Sequence, residues 1–192
     1  MNGAIRWRIV SLQAVLVLVL AFCSGFLFYE SNFVTKMVKD ELVAQQIYFP
    51  PASQVKLGGA LDPTEFPTEI TSLAGQQVDN GDKAKIYAND FIGKHLEGVA
   101  SGLTYSQVSS LAMAHPTNAV LQGQVATLFK GEMLRASLLN SYGWWTVGVY
   151  AGFAAWGLAI AAFAVFAALV FEIFVAAGRK PETIKVAQRL AA

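Results

Sequence analysis

Two long apolar segments lie near opposite ends of the chain, separated by about a hundred mostly polar residues. The first runs from Ile9 to Tyr29 and the second from about Gly143 to Phe171. Each is longer than the roughly 20 residues that a helix needs to cross a bilayer. The pattern predicts an all-α membrane protein, in which two transmembrane helices flank a small extracytoplasmic helical domain with a Pro/Gly-rich loop.

The same pattern divides the chain into five regions, the middle one in three parts. They are a cytoplasmic N-terminus (1–8), transmembrane helix 1 (9–29), an extracytoplasmic helical domain (30–141, with a stalk 30–46, an irregular segment 47–80 and helices 81–141), transmembrane helix 2 (142–177) and a cytoplasmic basic tail (178–192). Helical spacing of apolar residues predicts the stalk and the helices. The irregular segment is rich in Pro, Gly, Thr and Ser, and either binds a partner or is merely flexible.

One helix of the domain has a recognisable start and end. Thr104 with Gln107 resembles a capping box, in which the two side chains bond free backbone N–H groups at a helix start. This predicts a helix over Tyr105–Ala114, which His115-Pro116 ends because proline disfavours helical geometry in the preceding residue. The helix that follows is expected to run into the second span.

Composition and charge agree with a membrane location and predict its topology. The chain is 55% hydrophobic and only 14% charged, and over 30–141 eight Lys or Arg stand against eleven Asp or Glu, a sum of −3. Basic residues flank both spans on the outer ends of the chain, and such residues in short flanks stay in the cytoplasm. Both termini are therefore expected in the cytoplasm and residues 30–141 outside the cell (plasma) membrane. Nucleic acid is not expected as a partner, because that binding needs a concentrated basic face.

A cleaved signal peptide is the alternative interpretation of the first segment. Leu20-Ala21-Phe22-Cys23 approaches the pattern at which bacterial lipoproteins are cut and lipidated. Phe22 opposes cleavage, because small residues are needed near the cut. The sequence favours an uncleaved anchor, in which Cys23, the only cysteine, offers neither an intramolecular disulfide nor a thiolate metal cluster.

The second apolar segment carries a stripe of small residues at intervals of four and three. The stripe consists of Gly148, Gly152, Ala155, Ala159 and Ala162. Such stripes let helix backbones approach closely in lipid. The stripe predicts a packing face for the first span or for another subunit, although Ala and Gly are also simply frequent here. Trp144 and Trp145 are expected in an interfacial aromatic belt, and Arg179 and Lys180 at the inner end of the span.

Three further stretches carry a family resemblance. They are Tyr87-Ala88-Asn89-Asp90-Phe91-Ile92 with His95, then Gly102-Leu103-Thr104-Tyr105, and Met133-Leu134-Arg135-Ala136-Ser137-Leu138. Over roughly residues 79 to 150 the chain resembles an uncharacterised family of actinobacterial two-span membrane proteins. The resemblance implies the two-span architecture. Some members are labelled aromatic ring-opening dioxygenases, which would imply bound iron.

The residues do not favour such an enzyme. Ring-opening dioxygenases hold iron with a cluster such as two histidines and a carboxylate. Only His95 and His115 are present, and the candidate metal ligands reduce to His95 with Asp90 or Glu97 nearby. We therefore expect no metal, no cofactor and no catalytic residue. His95 is interpreted as a packed or hydrogen-bonded structural group.

Two charged residues near the span boundaries allow several interpretations. The guanidinium of Arg135 could bind a lipid phosphate, pair with Glu132 or an acid of the loop, or reach to water. Glu172, at the inner edge of the second span, is interpreted as a boundary residue rather than part of an ion path, because the sequence shows no partner for it.

Together these features predict a non-enzymatic accessory or scaffolding subunit of a larger membrane complex. It would pack on that complex through its second span and extracytoplasmic cap. The expected partners are membrane lipids and other integral membrane subunits, or further copies of the chain. The alternatives are an extracytoplasmic ligand-binding or sensing module, which needs a pocket in the helical domain, and a metal-dependent enzyme.

Overall fold

The computed structural model describes residues 3–176, and the predicted basic tail with Arg179 and Lys180 lies outside that range. The described chain is mostly helical, with no strand beyond an isolated bridge between Tyr48 and Gln77. Its helices are α1 (Gly3–Ala44), α2 (Thr68–Thr71), α3 (Gly81–Ile86), α4 (Lys94–Val99), α5 (Tyr105–Ala114) and α6 (Ala119–Phe171), with a 3-10 turn at Ala52–Gln54 and π-helical segments at Tyr87–Gly93 and Glu172–Ala176. The predicted all-helical fold is confirmed.

Helices α1 and α6 are long and apolar enough to cross a membrane, judged by length and composition. Both continue beyond their apolar parts, as the helical spacing of the flanking sequence predicts. The predicted stalk ends slightly early: α1 stops at Ala44, and Gln46 already has a positive φ of 53°.

The chain forms two compact units. The first, here called the helix pair, comprises the described parts of residues 1–29 and 151–192, and the second, the helical domain, comprises residues 30–150. Hydropathy predicts a domain over residues 30–141. Its predicted start coincides with the start of the helical domain, and its predicted end lies nine residues before the end of that domain at residue 150.

In the helix pair, two members of the predicted small-residue stripe, Ala155 and Ala162, are buried. Ala155, Ala162 and Leu169 are buried at seven-residue intervals, the spacing at which two helices pack as in a left-handed coiled coil. Ser24, on α1, is also buried and its hydroxyl donates a hydrogen bond to the Ala155 carbonyl, with a distance of 2.9 Å. Close backbone approach is what makes this bond possible, because only a small residue leaves the α6 carbonyl accessible from the neighbouring helix.

The core of the helical domain is built largely from the segment predicted to be irregular. It is irregular in its backbone, as expected, but it supplies half of the buried core residues. The core comprises Val38 and Leu42 of α1, Phe49, Leu61, Phe66, Ile70 and Val78 of that segment, and Ala84, Ala88 and Leu138 of the later helices. Segment 47–80 is therefore an ordered structural element and not merely a flexible loop.

A second, smaller core joins α4, α5 and α6. It contains Leu96, Ala100, Val108 and Leu128. The predicted helix Tyr105–Ala114 is confirmed with its capping box: Thr104 caps the backbone of Gln107, and the Gln107 side chain bonds the backbone N–H of Thr104. The cap fixes where α5 begins, and Val108 then anchors the helix in the core.

Two glycines allow α6 to approach its neighbours in the domain. A Cβ at Gly81 would overlap the Trp145 side chain, and one at Gly148 would lie 2.8 Å from Cγ2 of Thr35. Trp145 is thus half-buried against the domain core. Of the two tryptophans predicted for an aromatic belt, Trp144 alone is exposed, at 51%.

Candidate functional site

The most connected polar side chain in the helical domain is Arg135 on α6. Its Nε donates to the Ala88 carbonyl at 3.1 Å, and its Nη1 contacts both carboxylate oxygens of Glu132 at 3.0 and 3.1 Å. Its Nη2 donates to Oδ1 of Asn89 at 3.3 Å. The planar guanidinium presents its donors as a fork, so one side chain can join three acceptors at once. Of the interpretations left open by the sequence, pairing with Glu132 is the one that the structure shows.

Two of the three acceptors for Arg135, Ala88 and Asn89, lie in the π-helical segment Tyr87–Gly93. A π helix bonds each N–H five residues back, which makes the turn wider than in an α helix, and such segments occur frequently at functional sites. Gly93 ends the segment beside the guanidinium: a Cβ there would lie 3.6 Å from Cζ of Arg135. The arginine therefore ties the wide turn to α6, which the sequence alone did not indicate.

A cleft of about 290 Å³ opens beside this arginine. Its polar lining is Asn89, Glu97, Thr104, Tyr105, Glu132 and Arg135, and leucines 96, 103 and 128 line its apolar part. All three stretches that carry the family resemblance contribute to the lining, although they are far apart in sequence. Because Glu132 and Asn89 already bond the guanidinium, the groups that remain for a small polar molecule are the Glu97 carboxylate and the hydroxyls of Thr104 and Tyr105.

His95 lines a different, larger cavity of about 470 Å³. Its Nδ1 lies 2.8 Å from the Phe91 carbonyl and must donate to it, since a carbonyl only accepts. The ring packs on Phe91 and Phe66, with centroid distances of 4.4 and 6.0 Å. The predicted structural role of a packed, hydrogen-bonded histidine matches these contacts.

The irregular segment closes the other side of the His95 cavity, and Asp62 holds its turn in shape. The Asp62 carboxylate accepts hydrogen bonds from the backbone N–H of Gly58, and from the N–H and hydroxyl of Thr64 at 2.8 and 2.7 Å. These bonds hold the pKa of Asp62 below its ordinary value of 3.8, and the bond from Gly58 has the largest effect. The turn positions Gly59, Ala60 and Phe66 at the cavity.

Asp90 lines a third cavity, to which His95 does not contribute. This cavity of about 390 Å³ is lined by Glu69, Asp82, Lys85, Ile86, Asn89 and Asp90. Burial raises the pKa of Asp90 and the nearby Glu69 carboxylate raises it further, while Lys85 acts in the opposite direction. Within residues 3–176 no group of three His, Cys, Asp or Glu is placed so that it could hold a metal ion. The two weak metal candidates, His95 and Asp90, line separate cavities.

A second arginine site lies in the helix pair, and sequence reasoning missed it. Arg6 Nε lies 3.3 Å from Oε1 of Glu172, and Arg6 Nη2 donates to the Glu172 main-chain carbonyl at 2.6 Å. Both side chains are largely buried, at 30% and 20% exposure. Glu172 was interpreted as a boundary residue without a partner. The structure adds the partner, which is 166 residues away in sequence, so that no local pattern could have shown it, and the assignment of Glu172 as a boundary residue stays a prediction.

Comparison with known proteins identifies no relative: no family model, no curated protein and no solved structure matches the chain.

Proposed function

We propose that the chain is a non-enzymatic, integral membrane accessory subunit that packs on a larger membrane complex. Its two long apolar helices would cross the membrane with both termini in the cytoplasm, and the helical domain would lie outside. The proposal rests on one observation in the helix pair, namely that α6 keeps an open face after it has packed on α1.

That open face is a second stripe of small residues. Ala154, Gly157, Ala164 and Ala168 are exposed at intervals of three, seven and four residues, and a Cβ at Gly157 would meet nothing within 4 Å. The first stripe, around Ala155, is buried against α1. A span that had only to anchor the chain would need small residues on one face at most, whereas small residues on an exposed face allow another helix to approach closely.

Bulky side chains flank this open face. Phe153, Trp156, Ile160 and Phe163 are all at least 63% exposed. All four lie on one side of the small residues around the helix. In a membrane these side chains would contact lipid or border a docked helix, and the small residues beside them would form a shallow groove. The partner that fits is a transmembrane helix with its own small or bulky apolar residues, because no described charge lies on the face.

The test is purification of the tagged, full-length protein from its own membranes in mild detergent, followed by identification of the proteins recovered with it. We expect a defined membrane protein in stoichiometric amount. Replacing Gly157 by leucine should reduce that recovery several-fold by filling the groove. Phe166→Leu is the matched control, because Phe166 is 49% exposed and lies nine residues from Gly157, on the opposite side of α6, so this change should leave recovery unchanged.

Recovery of the chain without another protein would contradict the proposal. So would a Gly157→Leu variant that retains the same partner in the same amount.

A sensing or ligand-binding module is the second candidate, and the cleft beside Arg135 favours it. That hypothesis requires a pocket in the helical domain, and the cleft has room and polar groups for a small molecule. A bound metabolite released by denaturing the purified protein, and lost when Asn89 is replaced by alanine, would favour this candidate over the subunit.

A further inference from the structure

The extended N-terminal half of α6 has an exposed face that the helical domain leaves uncovered. Its residues recur at intervals of three and four, which is the spacing of a coiled-coil seam. The seam consists of Ala126, Phe129, Met133, Ala136 and Asn140, all exposed. Phe129 is 51% and Met133 56% exposed, and Tyr105 of α5 lies beside Phe129 with a ring distance of 5.8 Å.

The seam carries no charge. The sequence has no Asp, Glu, Lys or Arg between Glu97 and Lys130, and the other charged residues of α6, Glu132 and Arg135, bond each other and face the domain. Protein interfaces are depleted of charged residues and enriched in aromatic residues and methionine. An exposed Phe and Met in a charge-free stripe fit that description better than they fit a surface selected for solubility.

We propose that this seam pairs with the same seam of a second copy of the chain, in a parallel two-stranded coiled coil. A symmetric pair brings each residue opposite its own copy, so any charge in the seam would meet a like charge. The absence of charge removes that repulsion. Phe129 and Met133 would then be buried against their counterparts, and removing them from water would stabilise the pair.

Asn140 fixes the register of the proposed pair. With Phe129 and Ala136 at d positions, Ala126, Met133 and Asn140 occupy a positions, and a single Asn at an a position specifies register in parallel dimers. The Asn140 side chain makes no hydrogen bond to the described part of the chain. An amide can both donate to and accept from its symmetry copy, so the pair satisfies it. The parallel direction rests on the membrane insertion proposed above, because two copies inserted with one topology have parallel α6 helices.

Thiol crosslinking of the full-length protein in lipid vesicles tests the seam. Cys23 is first replaced by alanine, and a single cysteine is then placed at Met133 or, as control, at Leu134. The two side chains are equally exposed, at 56% and 57%, but lie about 100° apart around the helix. With a short bis-maleimide, Met133→Cys should give about tenfold more covalent dimer than Leu134→Cys, because paired thiols react at a high effective concentration.

A second measurement asks whether the seam holds the copies together. Phe129→Glu places like charges opposite each other and should convert the dimer to a monomer, measured as molar mass by light scattering in mild detergent. Leu134→Glu is the control and should remain dimeric. Far-UV circular dichroism of both variants checks that their helix content equals that of the parent.

Three outcomes would overturn the proposal. One is equal crosslinking at positions 133 and 134, and another is a Phe129→Glu variant that stays dimeric. The third is crosslinking of Met133→Cys to a different protein in native membranes instead of to its own copy. None of these outcomes bears on the stripe around Gly157, so the seam and the proposed function can fail independently.

Discussion

An arginine contacts a π-helical segment in each of the two units, and the two sites differ in where their partners come from. In the helical domain, Arg135 pairs with Glu132 on its own helix and reaches across to the Ala88 carbonyl. In the helix pair, Arg6 contacts both the side-chain carboxylate and the main-chain carbonyl of one residue, Glu172. Each arginine thus ties a widened helical turn to a neighbouring helix.

The difference between the sites shows what an arginine contributes in each unit. Glu132 is 45% exposed and three residues from Arg135, so that ion pair contributes little, and the bonds to the π segment matter more. Arg6 and Glu172 are the less exposed pair and lie at the end of two apolar helices. There each charge depends on the other, since an isolated charge in apolar surroundings is costly.

The largest expected effect is therefore from removing one member of the helix-pair site. Arg6→Met should destabilise the protein by about 3 kcal/mol, because breaking a buried ion pair leaves an uncompensated charge on Glu172. The measurement is thermal unfolding in mild detergent, followed by circular dichroism.

A double variant provides the control for this prediction. Arg6→Met combined with Glu172→Met removes both charges and should recover much of the lost stability. If the loss of stability in the double variant equals the sum of the losses in Arg6→Met and Glu172→Met, the two side chains do not depend on each other.

A smaller effect is expected from changing the shape, but not the charge, of the domain site. Arg135→Lys should cost about 1 to 2 kcal/mol, because one ammonium cannot join the Ala88 carbonyl, Asn89 and Glu132 together. Glu132→Gln, which removes only the exposed partner, should cost no more than about 0.5 kcal/mol. Thermal unfolding of the two variants under one condition makes the comparison, and a larger loss for Glu132→Gln would reverse our assignment.

The smallest effects concern two aspartates of the helical domain and have opposite signs. The folded-state pKa of Asp62 is lowered, so its charge stabilises the domain above pH 3.8, and this contribution is lost as the pH falls through the folded pKa. The folded-state pKa of Asp90 is raised, so ionising it costs stability as the pH rises above 3.8.

At pH 7, Asp62→Asn should thus lower the melting temperature and Asp90→Asn should raise it. Melting curves between pH 3 and pH 7 check both signs, because the Asp62 variant should lose less stability than the parent on acidification. A shift of the same sign in both variants at pH 7 would contradict the assignment.

The helices were predictable because their determinants are local. The capping box of Thr104 and Gln107 fixed the start of α5, and His115-Pro116 its end. Unbroken helical spacing predicted that α6 continues into its apolar part. One feature was not predictable in this way. The apolar residues of the π segment at Tyr87–Gly93 have the spacing of an α helix, so the sequence does not reveal the wider turn. The structure shows the wider turn, with Arg135 bonded to its Ala88 carbonyl.

The candidate site was partly visible in the sequence as three separate stretches. The residues around Asn89, those around Thr104, and Arg135 were each singled out, but nothing in their spacing showed that they line one cleft. The partner of Glu172 was invisible for the same reason, because a contact between Arg6 and Glu172 depends on how two helices pack and not on either helix alone.

By itself the sequence determined the helices, their ends and the two apolar stretches, because capping, proline and hydropathy act over a few residues. Only the tertiary structure decided which faces those helices use. It buried the stripe around Ala155 against α1, left the face around Gly157 and the seam around Met133 open, and made core residues of Leu61 and Ile70 in a segment without regular structure. The physical reason is that burial depends on packing between parts distant in sequence, whereas the local signals specify only the backbone.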